Sequence, residues 1–163
     1  MKNIFLITIV IVLSNSLYSY NNYDKNVNIS ISQNDLIIVS DVNNIMKYSK
    51  AKNLSDRALD QVKIADEAYS NGVKLLKQSD FIEAISSFKT AFKNYKRAKL
   101  STDALTFPNL QLALAHQLSG SDRNIKKVER YLELVTKVVE KEKDWLYNLA
   151  ILNYLNRNES IAA

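Results

Sequence analysis

His116 is the only histidine in the chain, and there is no cysteine at all. A lone imidazole between Ala115 and Gln117 reads as a core or boundary residue, because general-base catalysis needs a nucleophile and an orienting partner beside it. Without Cys, a second His or an HExxH arrangement, transition metals lack a ligand set. No Gly-rich phosphate loop is present. Asp66 and Glu67 are adjacent, so on a helix they diverge and do not form a carboxylate pair. The sequence therefore predicts no catalytic residue, no metal, no cofactor and no small-molecule substrate.

The charged residues offer a different chemistry. Lys89, Lys93, Lys96 and Arg97 share one helical face away from Phe88 and Phe92, with Lys99 following. Such a face could meet anionic lipid head groups or an acidic partner, or be simply a solvated outer surface. The formal charge of +5 and pI near 9.3 are modest, and nucleic-acid binding is not expected from basic residues scattered over helices.

These residues need elements to position them. With 163 residues, 47% hydrophobic, only two Gly and one Pro, the composition favours one all-α domain over turn-rich β structure. Residues 1–19 resemble a signal peptide: Lys2, then an apolar run from Ile4 to Leu13, then Ser14-Asn15-Ser16 and Ser19 as cleavage positions. The run is short for a bilayer span, yet no charge follows until Asp24, so an uncleaved anchor is the alternative. Export to the periplasm or cell envelope is the expectation, and the lack of Cys argues against a lipoprotein. Residues 20–40 form a polar arm. Val27, Ile29 and Ile31 alternate with polar residues as in a strand, and Leu36 to Val39 fits a short hairpin, a disordered stretch or a helix capped by Asn34 or Asp35, with the helix favoured.

Residues 41–163 carry the helical domain. Apolar residues recur at helical spacing from Ile45 through Leu54, Val62, Tyr69 and Leu76, as one long helix or two in line, with Asn53 or Ser55 able to cap a fresh start. Two patterns meet at Gln78-Ser79-Asp80. The second runs Phe81, Ala84, Ile85, Phe88, Ala91, Phe92, Tyr95, and Asp80 with Glu83 reads as a capping box. Thr106 and Pro108 predict the start of another helix, closed by Ser119-Gly120-Ser121. Ile125, Val128, Leu132, Val135 and Val139 predict the next, and Trp145, Leu149, Leu152 and Leu155 the last.

The 65–99 stretch resembles a tetratricopeptide repeat, a helix-turn-helix unit of about 34 residues with small residues where the helices cross. Gly72 matches the small residue of the first helix, and Phe81, Ala84, Phe88 and Ala91 match the packing series of the second. Two further, weaker units fit Leu112 to Val135 and Trp145 to Leu155; an ordinary helical bundle with alanines at its contacts is the competing architecture. The resemblance implies a TPR-like α-solenoid that binds another envelope or secreted protein on its concave face. Carried over, that face offers Asp66, Tyr69, Val73, Leu76 and Lys77 from the first unit, Leu110, Leu114 and Gln117 from the second, and Tyr147, Ile151 and Tyr154 from the third. For Val73 and Leu76, core packing is an equal reading. Tyr147 and Tyr154, two helical turns apart and off the Trp145 stripe, are the preferred anchors, because tyrosine combines apolar area with a polar tip. The arm from Tyr20 to Asn34 could itself fold back into the same groove.

Overall fold

The computed structural model describes residues 32–39, 43–49, 53–120 and 125–162. The expected leader at 1–19, and the alternation at Val27, Ile29 and Ile31, lie outside the described residues. Six α-helices follow one another: α1 (Asn43–Lys47), α2 (Asp56–Lys77), α3 (Phe81–Arg97), α4 (Thr102–Leu118), α5 (Ile125–Leu132) and α6 (Lys143–Ala162). Among the described residues there is no strand. The all-α expectation holds.

Helix α2 begins where Ser55 accepts a hydrogen bond from the Ala58 amide, so the periodic stretch after Ile45 is two helices. Its close with α3 is set by Gly72. A Cβ there would stand 2.6 Å from Cε1 of the fully buried Phe88, nearer than carbon atoms approach. Tyr69 meets the same ring edge-on, with centroids 5.5 Å apart, in the geometry aromatic quadrupoles favour. Ala84 and Ala91 are likewise fully buried, and Phe81 is half-buried. At the entrance to α3 the expected capping box is absent, since the Asp80 side chain makes no cap hydrogen bond.

Helices α2, α3 and α4 end in one manner. Ser79, Lys99 and Gly120 take φ of 61°, 59° and 63°. In the first two cases the following amide reaches back to Leu75 O and Tyr95 O, while Ser79 N and Lys99 N bond Leu76 O and Lys96 O. This is the pairing that satisfies the last carbonyls of a helix. Glycine tolerates that backbone freely and L-residues do not, so Ser79 and Lys99 accept a local cost for the tight reversal.

The start of α4 differs from the sequence reading. Ser101, not Thr106, is the cap, accepting from Ala104 N and donating to Tyr48 O at 2.7 Å. Pro108 therefore lies inside the helix, where its missing N–H gives up one intrahelical bond. Thr106 is buried, and its Oγ1 pairs with Thr136 Oγ1 at 2.9 Å and accepts from Thr136 N. From Thr106 to Gln117 every residue of α4 is buried. A helix buried on all sides is the hub of a domain, and α4 contacts α1, α3, α5 and α6.

Helix α5 is shorter than its apolar stripe suggested. It stops at Leu132, and Val139 lies on a separate 3-10 turn, Lys137–Lys141. The run from Leu134 to Val139 is rich in β-branched residues, which lose rotamer freedom in a helix, and Thr136 is drawn off to Thr106. The expected stripe of α6 buries Trp145, Leu152 and Leu155. The ring of Trp145 stands edge-on to Phe107, itself 5.5 Å from Tyr48, so an aromatic chain ties α6 through α4 to the residues after α1. Glu142 reinforces that tie, accepting from Lys47 Nζ and Tyr48 Oη at 2.8 Å.

Candidate functional site

The segment 32–39 neither forms the favoured helix nor pairs as a hairpin. Ser32 caps a single 3-10 turn, Gln33–Asp35, with its hydroxyl accepting from Asn34 N and Asp35 Oδ2 taking the Ser32 amide. Leu36 to Val39 then runs without regular structure, starting from φ −72° and ψ 135° at Leu36. A chain in this state leaves its amides and carbonyls in need of partners. Here they come from helix side chains far away in sequence.

Asn148 on α6 supplies two of them. Its Oδ1 accepts from Ile37 N at 2.8 Å and its Nδ2 donates to Ile37 O, so one carboxamide pairs with both polar groups of one residue. Gln111 on α4 supplies a third, donating from Nε2 to Val39 O at 2.7 Å and also to Tyr69 Oη at 3.1 Å. A side-chain amide carries a donor and an acceptor side by side, which matches an extended backbone much as a neighbouring strand would. Gln33 adds a bond in the other direction, donating to Gln117 O. Asn148 and Gln111 are almost wholly buried, so these bonds sit where water competes little. Val39 is buried, Leu36 and Ile38 pack half-buried against the core, and the side chain of Ile37 points outward with 42% of its surface exposed. Together α4, α6 and segment 32–39 form a seat and its occupant.

The residues assigned to an open concave face divide sharply. Tyr69, Val73, Leu114, Gln117 and Ile151 are buried, as are Leu76 and Leu110, so they are corrected to core. The reason is direct contact among the elements themselves: Gln111 of α4 reaches Tyr69 of α2, and segment 32–39 covers the α4–α6 side. Asp66 is half-buried and accepts from Tyr95 Oη at 2.6 Å. Burial raises its carboxyl above the usual 3.8, with the Tyr95 hydrogen bond working in the opposite sense. Burial, and next the Asp66 contact, drives the Tyr95 phenol far above its usual value of 10.0. Lys77 is exposed. Tyr147 and Tyr154 remain half-buried on α6, and burial together with the nearby Asp35 carboxylate raises the Tyr147 phenol.

The basic face keeps its exposure. Lys89, Lys93, Lys96 and Arg97 are all solvent-facing. Lys89 borders a cleft of about 500 Å³ with Ile82, Ile85 and Lys127, while Arg97 borders another of about 690 Å³ with Arg57, Gln61 and Lys99. His116 is buried and stacks on the Tyr131 ring at 5.7 Å and 14°, a packing role for the lone imidazole. Among the described residues, no group of His, Asp and Glu is placed to hold a metal ion, and no helix is long and apolar enough to cross a membrane.

Asn148 and Gln111 were not singled out from the sequence, although a signal existed. Asn148 falls between Trp145 and Leu152 on the apolar stripe of α6, and Gln111 lies between Leu110 and Leu112. An amide on a stripe headed for the core must find a partner there. No protein-family model matches the chain, and no curated protein or solved structure is detectably similar to it.

Proposed function

We propose that this chain is a non-enzymatic interaction scaffold of the bacterial cell envelope, built from tetratricopeptide-like helical hairpins, that holds an extended segment of another envelope or secreted protein. The observation that carries the reading is the pairing of the Asn148 carboxamide with both backbone groups of Ile37. Backbone recognition of this kind holds an extended chain whatever its outward side chains are, and main-chain bonds with alternate side-chain pockets are how extended peptides are commonly bound. The Gly72–Phe88 crossing supports the repeat-like hairpin, and the leader-like residues 1–19 support export. Tyr147 and Tyr154 lie on the same helix as Asn148 and supply half-buried aromatic area.

The second reading is a membrane-surface protein that uses Lys89, Lys93, Lys96 and Arg97, and their common exposure favours it. Salt separates the two, since exposed charges are screened beyond a Debye length of about 8 Å and a desolvated contact is not. A pull-down from envelope extract at low and high salt, with the full chain, its Tyr147→Ala/Tyr154→Ala variant and its four-site basic-to-Ala variant, decides between them. The scaffold reading expects a protein retained at high salt by the wild type and by the basic-face variant, and lost with the tyrosine pair. Loss only with the basic residues, together with retention on anionic vesicles alone, would overturn it. N-terminal sequencing of the mature protein tests the address, and a soluble cytoplasmic form starting at Met1 would refute export.

A further inference from the structure

Resting on the scaffold reading, we infer that residues 32–39 occupy the α4–α6 seat as an intrasteric competitor, standing in for a segment of a partner polypeptide with the same chemistry. That partner segment is extended, carries apolar side chains at the positions of Leu36, Ile38 and Val39, and has a free backbone N–H at the position of Ile37. The seat contacts the occupant in a way that permits exchange. Its bonds to Ile37 and Val39 go to backbone atoms alone, so they are available to any extended chain. What it reads of the side chains is the inward set, where Val39 is buried and Leu36 and Ile38 are half-buried, and the Gln33 amide on Gln117 O, while the outward Ile37 is unread.

The present occupant is also an incomplete fit. Gln111 Oε1 is buried and receives no hydrogen bond, although the same amide donates to Val39 O and Tyr69 Oη. A buried acceptor without a donor is a cost that an occupant offering one more N–H would remove. The polar side of the segment is exposed to solvent at Asn34 and Asp35. A tethered segment acts at an effective concentration of order millimolar, which sets the threshold a free competitor must overcome.

The test uses the full chain and a fluorescent synthetic peptide of residues 32–39. Ile37→Pro removes the amide that Asn148 accepts. Leu36 already has the extended backbone that a following proline prefers. Fluorescence anisotropy is expected to show the peptide binding Ile37→Pro about tenfold or more tighter than the wild type, since the tethered competitor is weakened. Binding should vanish in Ile37→Pro/Asn148→Ala and for a peptide with Leu36→Asp and Ile38→Asp. Equal binding to wild type and Ile37→Pro, or binding indifferent to Asn148, would overturn the inference. A second measurement needs no variant: hydrogen exchange on the wild-type chain at saturating peptide should speed at Ile37 and leave α2 and α3 unchanged, and an unchanged Ile37 amide sinks the idea. An envelope protein retained by the chain but indifferent to the peptide would overturn this inference and leave the scaffold reading standing. Peptide binding with no protein ever retained would overturn the scaffold reading and with it the partner this inference assigns, leaving only the exchangeable contact of segment 32–39 with the seat.

Discussion

The α2–α3 hairpin and the α4–α6 seat are built by opposite means. In the hairpin, apolar contacts do nearly everything: Gly72 lets the Phe88 ring lie against the α2 backbone, and Ala84, Ala91 and Tyr69 close around it. Its principal buried polar link is one phenol on one carboxylate, Tyr95 to Asp66. In the seat, apolar packing is shared with buried amides, and Asn148 and Gln111 decide where the extended segment lies. Dispersion and burial are non-directional and tolerate small shifts, whereas a carboxamide pairing with one residue's N–H and C=O fixes register. The hairpin thus rests on close apolar packing, and in the seat the buried amides fix where the backbone of segment 32–39 lies.

The sharpest way to break this contrast is at the hairpin's tightest point. Gly72→Ala puts a methyl 2.6 Å from the Phe88 ring, and over-packing of a fully buried site should cost about 1–3 kcal/mol in urea denaturation, with Gly72→Leu costing more. A neutral Gly72→Ala would mean that the ring moves freely, and the close-packing description would have to go. Next comes Asn148→Ala. It leaves the Ile37 amide and carbonyl without their partner, an expected loss of about 1–2 kcal/mol because a partly exposed segment can regain water. Native-state hydrogen exchange should place that loss at Ile37 and leave α2 and α3 protected.

A pH scan sharpens the polar link of the hairpin. Tyr95 has a folded pKa raised above the ordinary 10.0, so its contribution to stability is complete below pH 10 and is lost as pH rises beyond it. Alkaline denaturation should begin there and be blunted in Tyr95→Phe. Asp66 follows the same sign at the acid end, since its raised pKa gives a contribution that is full below 3.8 and lost as pH rises through the folded value. The smallest effect is expected at the helix ends. Ser79→Gly and Lys99→Gly relieve positive φ and should each stabilise by about 0.5–1 kcal/mol, read as a higher denaturation midpoint at unchanged slope.

Much of the hairpin was legible because its information is local. The spacing Phe81, Ala84, Phe88, Ala91 names the buried face of α3, and a glycine amid helix formers marks a close crossing. The Ser119–Gly120 stop was legible for the same reason, as caps act within one turn, whereas the sequence left Asn53, Ser55 or an unbroken helix open and the structure chose Ser55. Thr106 misled because its cap-like chemistry was spent on Thr136, thirty residues away. The candidate face misled more deeply: Tyr69, Val73, Leu114 and Ile151 sit at helical spacing that fits a core stripe and a groove lining equally well, and only their contacts distinguish the two.

By itself, then, the sequence determined an all-helical chain, the small-against-aromatic crossing at Gly72 and Phe88, the exposed basic face on α3, and the absence of thiol chemistry. Each follows from residue type and from a period of 3.6. The tertiary structure alone decided that α4 is buried from Thr106 to Gln117, that Gln111 of α4 reaches Tyr69 of α2, and that Ile37 meets Asn148 across 111 residues of chain. A periodic stripe states which face leaves water and not what covers it, because burial has no direction. The partner of a buried amide is fixed only when distant backbone is brought within hydrogen-bonding distance.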